Sequence, residues 1–171
     1  LHRNVSTTAL DVLSLRIGLA IAERLDEFAD GGVMLKWPND LYVRGRKLCG
    51  ILVEARWRDT RLEWVAVGVG INLVPPADHP GAVGLRSGVR RSDVLKAVTA
   101  QVADACGEVG DLSPDEVREF SARDIARGAR VVEPAIGLAH GITTNGTLVV
   151  ETASGRELFR RGSLVIASEV G

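Results

Sequence analysis

The sequence predicts an α+β chain, in which a mainly antiparallel sheet packs against helices and a small all-β unit follows. Three observations predict it. Residues 33–73 fall into short apolar, β-branched runs separated by Pro38-Asn39-Asp40, Arg44-Gly45-Arg46 and Arg58-Asp59-Thr60. That is the punctuation of hairpins and meanders. On both sides of this stretch apolar residues recur at three- and four-residue spacing, the helical period. From Ala129 onward only short runs with glycine turns remain, which is the pattern of a small β-barrel.

Taken in order, Leu1–Ala9 carries few organising signals. Leu10, Leu13, Ile17, Ala20, Ile21, Leu25 and Phe28 then mark one helical face, with Ser6, Thr7, Thr8 or Asp11 available to start the helix and Gly31-Gly32 to end it. Strands are expected at Val33–Trp37, Leu41–Val43, Lys47–Trp57 and Leu62–Leu73. Val74–Arg90, with Pro75, Pro76 and Pro80, reads as a loop. A helix from Val94 to about Cys106 would be capped by Ser92 or Asp93. Ser113-Pro114-Asp115-Glu116 opens another, running to about Ala126, with a capping box and proline at the first helical position. Short strands follow at 130–133, 136–142, 147–152, 157–159 and 164–167. Thr144-Asn145-Gly146 reads as a type I′-like turn and Ala153-Ser154-Gly155 as a second hairpin turn. Gly128 separates a first unit, 1–127, from a second, 128–171. A unit that short has little core of its own and should lean on the first.

Composition narrows the function. Apolar residues make up 46% of the 171, enough for a real core, and the net charge of −1 implies no general attraction to nucleic acid. No apolar run reaches spanning length, because Arg16, Glu23 and Arg24 interrupt the first helix. Cys49 and Cys106 make no disulfide framework, and Cys49, inside a strand, reads as a buried thiol in a reducing compartment. His2, His79 and His140 are scattered, without the paired spacing of a zinc site.

Lysine usage points to a site. The chain has 18 Arg but only three Lys, and two of these, Lys36 and Lys47, lie inside the strand-rich stretch. A compact ammonium and a planar guanidinium are not interchangeable where a point charge is needed. Glycine inside a strand marks close approach by a ligand or by another backbone, which singles out Gly50, Gly68 and Gly70. Asp40 and Asn39 follow Pro38, where an Asx-type turn is the ordinary use of both. Asn72, near a strand end, either meets a ligand or satisfies backbone groups, and Trp37 is either a pocket wall or core.

The run Lys36-Trp37-Pro38-Asn39-Asp40, the strand Gly45-x-Lys47-x-x-Gly50-Ile51-Leu52-x-Glu54 and the strand Gly68-x-Gly70-Ile71-Asn72 resemble, complete and in order, the core of bacterial biotin protein ligase. The pattern Gly137-x-Ala139-x-Gly141-Ile142, followed by Gly146-x-Leu148-x-Val150-Glu151, resembles the SH3-like C-terminal domain of the same family. The resemblance implies a fold like that of class II aminoacyl-tRNA synthetases and biotin ligases. It also implies a two-step reaction using ATP, Mg2+ and biotin: formation of biotinyl-5′-AMP, then transfer to a lysine of a carboxylase biotin-carrier domain. The resemblance gives Lys47 and Asp40 catalytic roles. It places biotin near Lys47, Gly50, Gly68 and Trp37, and the nucleotide near Asn72, Ile71, Gly70, Lys47 and Asp40. Arg160 and Arg161 are candidates for phosphate, and no protein side chain stands out as a metal ligand. The family implies a cytoplasmic protein and leaves a homodimer open.

One family feature is missing. The glycine- and arginine-rich G-R-G-R-x-G-R loop, the early Ser/Thr segment and the Gln that hold biotin in the family have no counterpart in these residues. The sequence thus reads as the back part of a ligase, with Leu1–Ala9 the remnant of a strand, and impaired activity is expected. No helix-turn-helix pattern of the repressor type is seen. Two other readings stand beside the ligase: a non-catalytic ligase-like binding module, and a lipoate-attaching relative.

Overall fold

The computed structural model describes residues 10–59 and 61–169. The expected strand remnant at Leu1–Ala9 and the proposed caps Ser6, Thr7 and Thr8 lie outside these. The first regular helix, α1, is Leu13–Asp26, with Val12 at its N-cap and no side-chain capping bond. Asp11 does not cap it; its carboxylate faces Arg161 at 3.7 Å instead. The helix also ends before Gly31-Gly32. Asp26 turns outward, its carboxylate accepting the Val33 N–H at 2.6 Å and pairing with Arg123 at 3.0 Å. The glycines then carry the chain into the sheet, with Gly31 at φ +145°.

Four antiparallel strands form the first sheet in sequence order: β1 Val33–Lys36, β2 Asp40–Val43, β3 Arg46–Arg58 and β4 Arg61–Ile71. Their bounds differ from expectation by one or two residues. Alternation decides the two faces. Val33, Leu35, Leu41, Val43, Cys49 and Ile51 point one way and are buried. With Val67, Val69 and Ile71 they pack against α1 and against α2, Arg91–Gly107. Gly18 lets α1 lie close to this layer, since a Cβ there would come within 3.3 Å of the Leu35 side chain. The other face carries Lys36, Asp40, Tyr42, Lys47, Gly50, Leu52, Trp64, Gly68 and Gly70, and over β3 and β4 it is largely open.

Helix α2 starts three residues earlier than expected. Arg90 is its N-cap, without a side-chain capping bond. Neither Ser92 nor Asp93 caps it, because the Asp93 carboxylate is taken by the Arg90 guanidinium at 2.8 and 3.0 Å. Helix α3, Pro114–Arg123, has the expected capping box. The Ser113 hydroxyl accepts the Glu116 N–H at 3.1 Å, and the Glu116 carboxylate accepts the Ser113 N–H at 2.7 Å. The same carboxylate receives Arg16 of α1 at 2.7 Å, which fastens α3 to the first helix. The helix stops before Ala126 because the next residues leave it for the edge of β1. Asp124 bridges Leu35 in parallel, and the Ile125 N–H donates to the Leu35 carbonyl at 3.0 Å.

The second sheet has five antiparallel strands: β5 Arg130–Glu133, β6 Gly137–Ile142, β7 Leu148–Thr152, β8 Gly155–Phe159 and β9 Val165–Ile166, in the order β8-β7-β6-β5-β9. A 3₁₀ turn, Ala167–Glu169, follows. The turn before β7 is not type I′, which would need positive φ at two central residues. Gly146 has it at +75°, but Asn145 does not. The Asn145 side-chain oxygen instead accepts the hydroxyls of Thr143 and Thr147 at 2.5 and 2.7 Å. Val131, Ala139, Leu148 and Val150 belong to the same buried cluster as the helices and the first sheet, so this short β unit does lean on the rest. Three polar contacts help join it: Trp37 Nε1 donates to the Gly146 carbonyl at 3.0 Å, the Leu112 N–H to the Thr144 carbonyl at 2.8 Å, and Lys36 pairs with Glu169. No helix among the described residues is long and apolar enough to cross a membrane.

Two predictions follow from this packing. Asp124 is buried; its Oδ1 accepts the Ala126 N–H, while its Oδ2 has no partner among the described residues. Burial pushes its pKa up from 3.8 to about 6, against the lowering by that N–H and by Arg127. The folded chain holds this proton more tightly than the unfolded one, so stability falls as pH rises from about 4 to about 6 and the penalty stays above that. Asp124→Asn should therefore stabilise the fold by about 2–3 kcal/mol at pH 7 and by almost nothing at pH 4, read from urea unfolding at both pH values. Trp37→Phe leaves the Gly146 carbonyl without its donor. It should cost about 1–3 kcal/mol in the same measurement, with an unchanged m-value.

Candidate functional site

One cross-strand row organises the open face. Lys36 on β1 lies opposite Asp40 on β2, Asp40 opposite Gly50 on β3, and Gly50 opposite Gly70 on β4. Two charged side chains are followed by two positions with none. In the next row Leu52 faces Gly68. The missing side chains leave a hollow of about 490 Å³, floored by Gly50, Gly68 and Gly70 and walled by Asn39, Asp40, Lys47 and Leu52.

Lys47 reaches this face through an irregularity. Leu41 pairs with Cys49 and Tyr42 with Lys47, so Leu48 is an extra residue. Such a bulge re-aims the neighbouring side chain. Leu48 and Cys49 both go into the core, and Lys47 emerges beside Asp40. Its Nζ lies 2.6 Å from Asp40 Oδ1. A Cβ placed on Gly50 would lie 3.5 Å from that Nζ and 3.4 Å from that carboxylate oxygen, so the ion pair stands directly over the glycine floor.

The backbone under Lys47 is tightly held while its side chain stays half-exposed, at 45%. The Lys47 N–H donates to the Gly81 carbonyl at 2.8 Å. Its carbonyl accepts the Val83 N–H at 2.9 Å and Asn72 Nδ2 at 3.3 Å. Asn39 fixes the other wall: its Nδ2 donates to the Ile51 carbonyl at 2.7 Å, and its own carbonyl accepts the Ile51 N–H at 2.9 Å. Asn39 thus ties the turn to β3 rather than bonding within the turn. A half-exposed ion pair contributes only about 0–1 kcal/mol to stability. The Lys47–Asp40 pair therefore costs little to open when an anion arrives. Cys49 is no competing nucleophile: burial, helped by the Asp40 charge and opposed by Lys47, pushes its thiol up to about 12.

The other residues singled out from the sequence stand as follows. Gly50, Gly68 and Gly70 share the floor with Lys47 and Asp40 above them. Asn72 touches the site through the Lys47 carbonyl. Ile71, one residue beyond Gly70, points to the opposite face, into the groove between β4 and α2. Trp37 is buried at 2% exposure and bonded to Gly146, away from the hollow. Arg161 is exposed beside Asp11, Arg160 is exposed, and neither lines the hollow. Lys36 is buried, its Nζ held by both Glu169 oxygens at 2.7 and 2.8 Å and lying 3.4 Å from the Tyr42 hydroxyl. Leu52 was overlooked as a wall, although its period-two spacing from Gly50 puts it on the same face. Glu169 and Tyr42 were overlooked too; only Tyr42, two residues from Asp40 on one strand, carried a sequence signal.

Residues 1–72 match the biotin/lipoate A/B protein ligase family. The chain is 29% identical over 145 residues to a biotin–[acetyl-CoA-carboxylase] ligase of Paracoccus denitrificans, covering 73% of this chain and 59% of that protein. It is 46% identical over 61 residues to the bifunctional ligase/repressor BirA of Escherichia coli, covering 36% of this chain and 19% of that protein. It thus spans less than two thirds of either relative. Among solved structures, biotin protein ligase from Aquifex aeolicus in complex with biotin and ATP superposes with a TM-score of 0.78 at 23% identity, covering 98% of this chain and 76% of that one. That likeness shows the same α+β fold.

Proposed function

We propose that this chain carries the adenylation centre of an ATP-dependent biotin protein ligase, with biotin and ATP meeting over the Gly50–Gly70 floor. The observation that carries the reading is the Lys47–Asp40 pair held above a surface without side chains. In the first step a biotin carboxylate oxygen bonds to the α-phosphorus of ATP, and the bond to the departing pyrophosphate breaks. Both reactants are anionic, so their approach costs Coulomb energy. An ammonium leaving Asp40 for the two approaching oxyanions lowers that cost, and does so most where they are closest. The rigid backbone of Lys47 means little reorganisation is needed. In the second step a lysine amine of the acceptor attacks the carbonyl of the mixed anhydride, and AMP leaves. Asp40, freed of its cation, is placed to accept a hydrogen bond from that amine and orient it.

Asp40 is the one carboxylate among the described residues lining the hollow. Magnesium fits such a site only as it usually binds nucleotides, through phosphates and water with a single carboxylate. Asp40 would then be its protein ligand. The ion would supply neutralisation of the phosphate charge.

The division at Gly128 into a catalytic unit and an SH3-like unit, and phosphate contacts of the exposed Arg160 and Arg161, belong to the same reading; the biotin contact expected of Trp37 does not, because its indole is buried against the Gly146 carbonyl. So do a carboxylase biotin-carrier domain as acceptor, a homodimer through edge strand β4, and a cytoplasmic setting. The Paracoccus denitrificans relative is a biotin ligase by name, which favours biotin over lipoate.

Calorimetry with biotin, lipoate and ATP tests the reading, together with biotin-dependent pyrophosphate release. Heat with biotin and ATP, and none with lipoate, is the expected result; lipoate binding alone would reassign the substrate, and no binding by any of the three would leave a non-catalytic module. Lys47→Ala should lower pyrophosphate release about 10²–10³-fold, and Lys47→Arg should not restore it. Gly70→Val should leave Tm within about 3 °C, since a Cβ there meets only the Gly50 carbonyl at 3.7 Å, yet it should weaken ligand binding at least about tenfold by filling the floor.

A further inference from the structure

Lys36 and Asp40 are direct cross-strand partners, so their side chains leave neighbouring positions on one face of the sheet. A lysine opposite an aspartate would ordinarily pair with it. Here it does not. The Lys36 ammonium turns to the 3₁₀ turn at the end of the second sheet, where both oxygens of Glu169 receive it at 2.7 and 2.8 Å. The Tyr42 ring lies below, 5.1 Å from centroid to Nζ, and its hydroxyl is at 3.4 Å. Glu169 is itself held by the Ile166 N–H at 3.1 Å. Asp40 is left to Lys47. Four charges on one face are thus sorted into two pairs, Glu169–Lys36 and Asp40–Lys47.

We infer that Glu169 is a positioning residue for the adenylation centre: by holding Lys36 it keeps that ammonium off Asp40, so that Lys47 is the cation standing over the glycine floor. The inference rests on the function proposed above for that floor, but its physical content is independent of it. Lys36 is buried, at 8% exposure, and a buried ammonium needs an anion. Without Glu169, the carboxylate directly across the ladder is Asp40. Lys36 would take it, and Lys47 would lose the partner that fixes its position beside Gly50. The small β unit therefore reaches the site through one ion pair, although it does not line the hollow.

Three lysines in the chain make this directly observable. Their side-chain ε-carbons and ε-ammonium groups give three NMR signals, assigned by Lys→Arg replacement. Glu169→Gln should shift the Lys47 signal as well as that of Lys36 and leave Lys96 in place. In a Lys36→Met background the same Glu169→Gln change should leave Lys47 where it was, because no competing ammonium remains. Pyrophosphate release should follow: kcat falls about tenfold in Glu169→Gln and returns to within about twofold of the parent in Glu169→Gln/Lys36→Met. A role confined to docking the β unit would give no rescue, since the double variant lacks the tie altogether. A Lys47 signal unmoved by Glu169→Gln, or a double variant as slow as the single one, would overturn the inference. If the parent chain forms no adenylate at all, the proposed function fails, while the NMR arm still decides this one.

Discussion

The structure depends on a constraint of β-sheet geometry: residues directly opposite one another on neighbouring strands share a face. The row Lys36, Asp40, Gly50, Gly70 runs across all four strands of the first sheet. That row supplies the carboxylate and most of the floor of the candidate site. Its charged half supplies Asp40, whose partner Lys47 comes from the neighbouring row. Its empty half supplies a floor that another molecule can approach closely. The opposite face of the same strands is apolar and fills the core against α1 and α2. One set of strands thus serves packing and chemistry without conflict, because alternation separates the two.

The Leu48 bulge is the second device. Without it, Lys47 and Leu48 would exchange faces, since a one-residue slip reverses every side chain beyond it. A lysine would enter the core and a leucine would stand over the hollow. The bulge lets two successive apolar residues, Leu48 and Cys49, go inward and returns Lys47 to the open face. The loop carrying Gly81 and Val83 then pins the Lys47 backbone on both sides. The mobile part of the cation is reduced to its own side chain, which suits a group that must leave one carboxylate for another anion.

Charge sorting gives the second sheet a role beyond packing. Two buried or half-buried lysines sit near two carboxylates on one face, and either pairing would satisfy simple Coulomb attraction. Fixed geometry chooses between them. Glu169 is held by backbone and presents both oxygens to Lys36, while Asp40 at the strand start faces Lys47. The Trp37–Gly146 bond and the Arg16–Glu116 pair hold the surrounding layers in place so that this arrangement persists.

The sequence by itself determined the α+β class, the four-strand meander, the capping box of α3, and the residues Lys47, Asp40, Gly50, Gly68 and Gly70. Those signals are local: alternation, turn residues, caps and an unusual lysine are all visible within a few positions. Element ends were less legible. Asp93 reads as a cap but is claimed by Arg90, and α3 reads as longer because nothing local reveals that Ile125 bonds to the edge of β1. Only the tertiary structure decided that Ile71 faces a groove on the far side of the sheet, that Trp37 is committed to the Gly146 carbonyl, and that Lys36 belongs to Glu169, 133 residues away. Such pairings depend on how two sheets dock. Docking is a property of the whole packed core, to which no single segment holds the key.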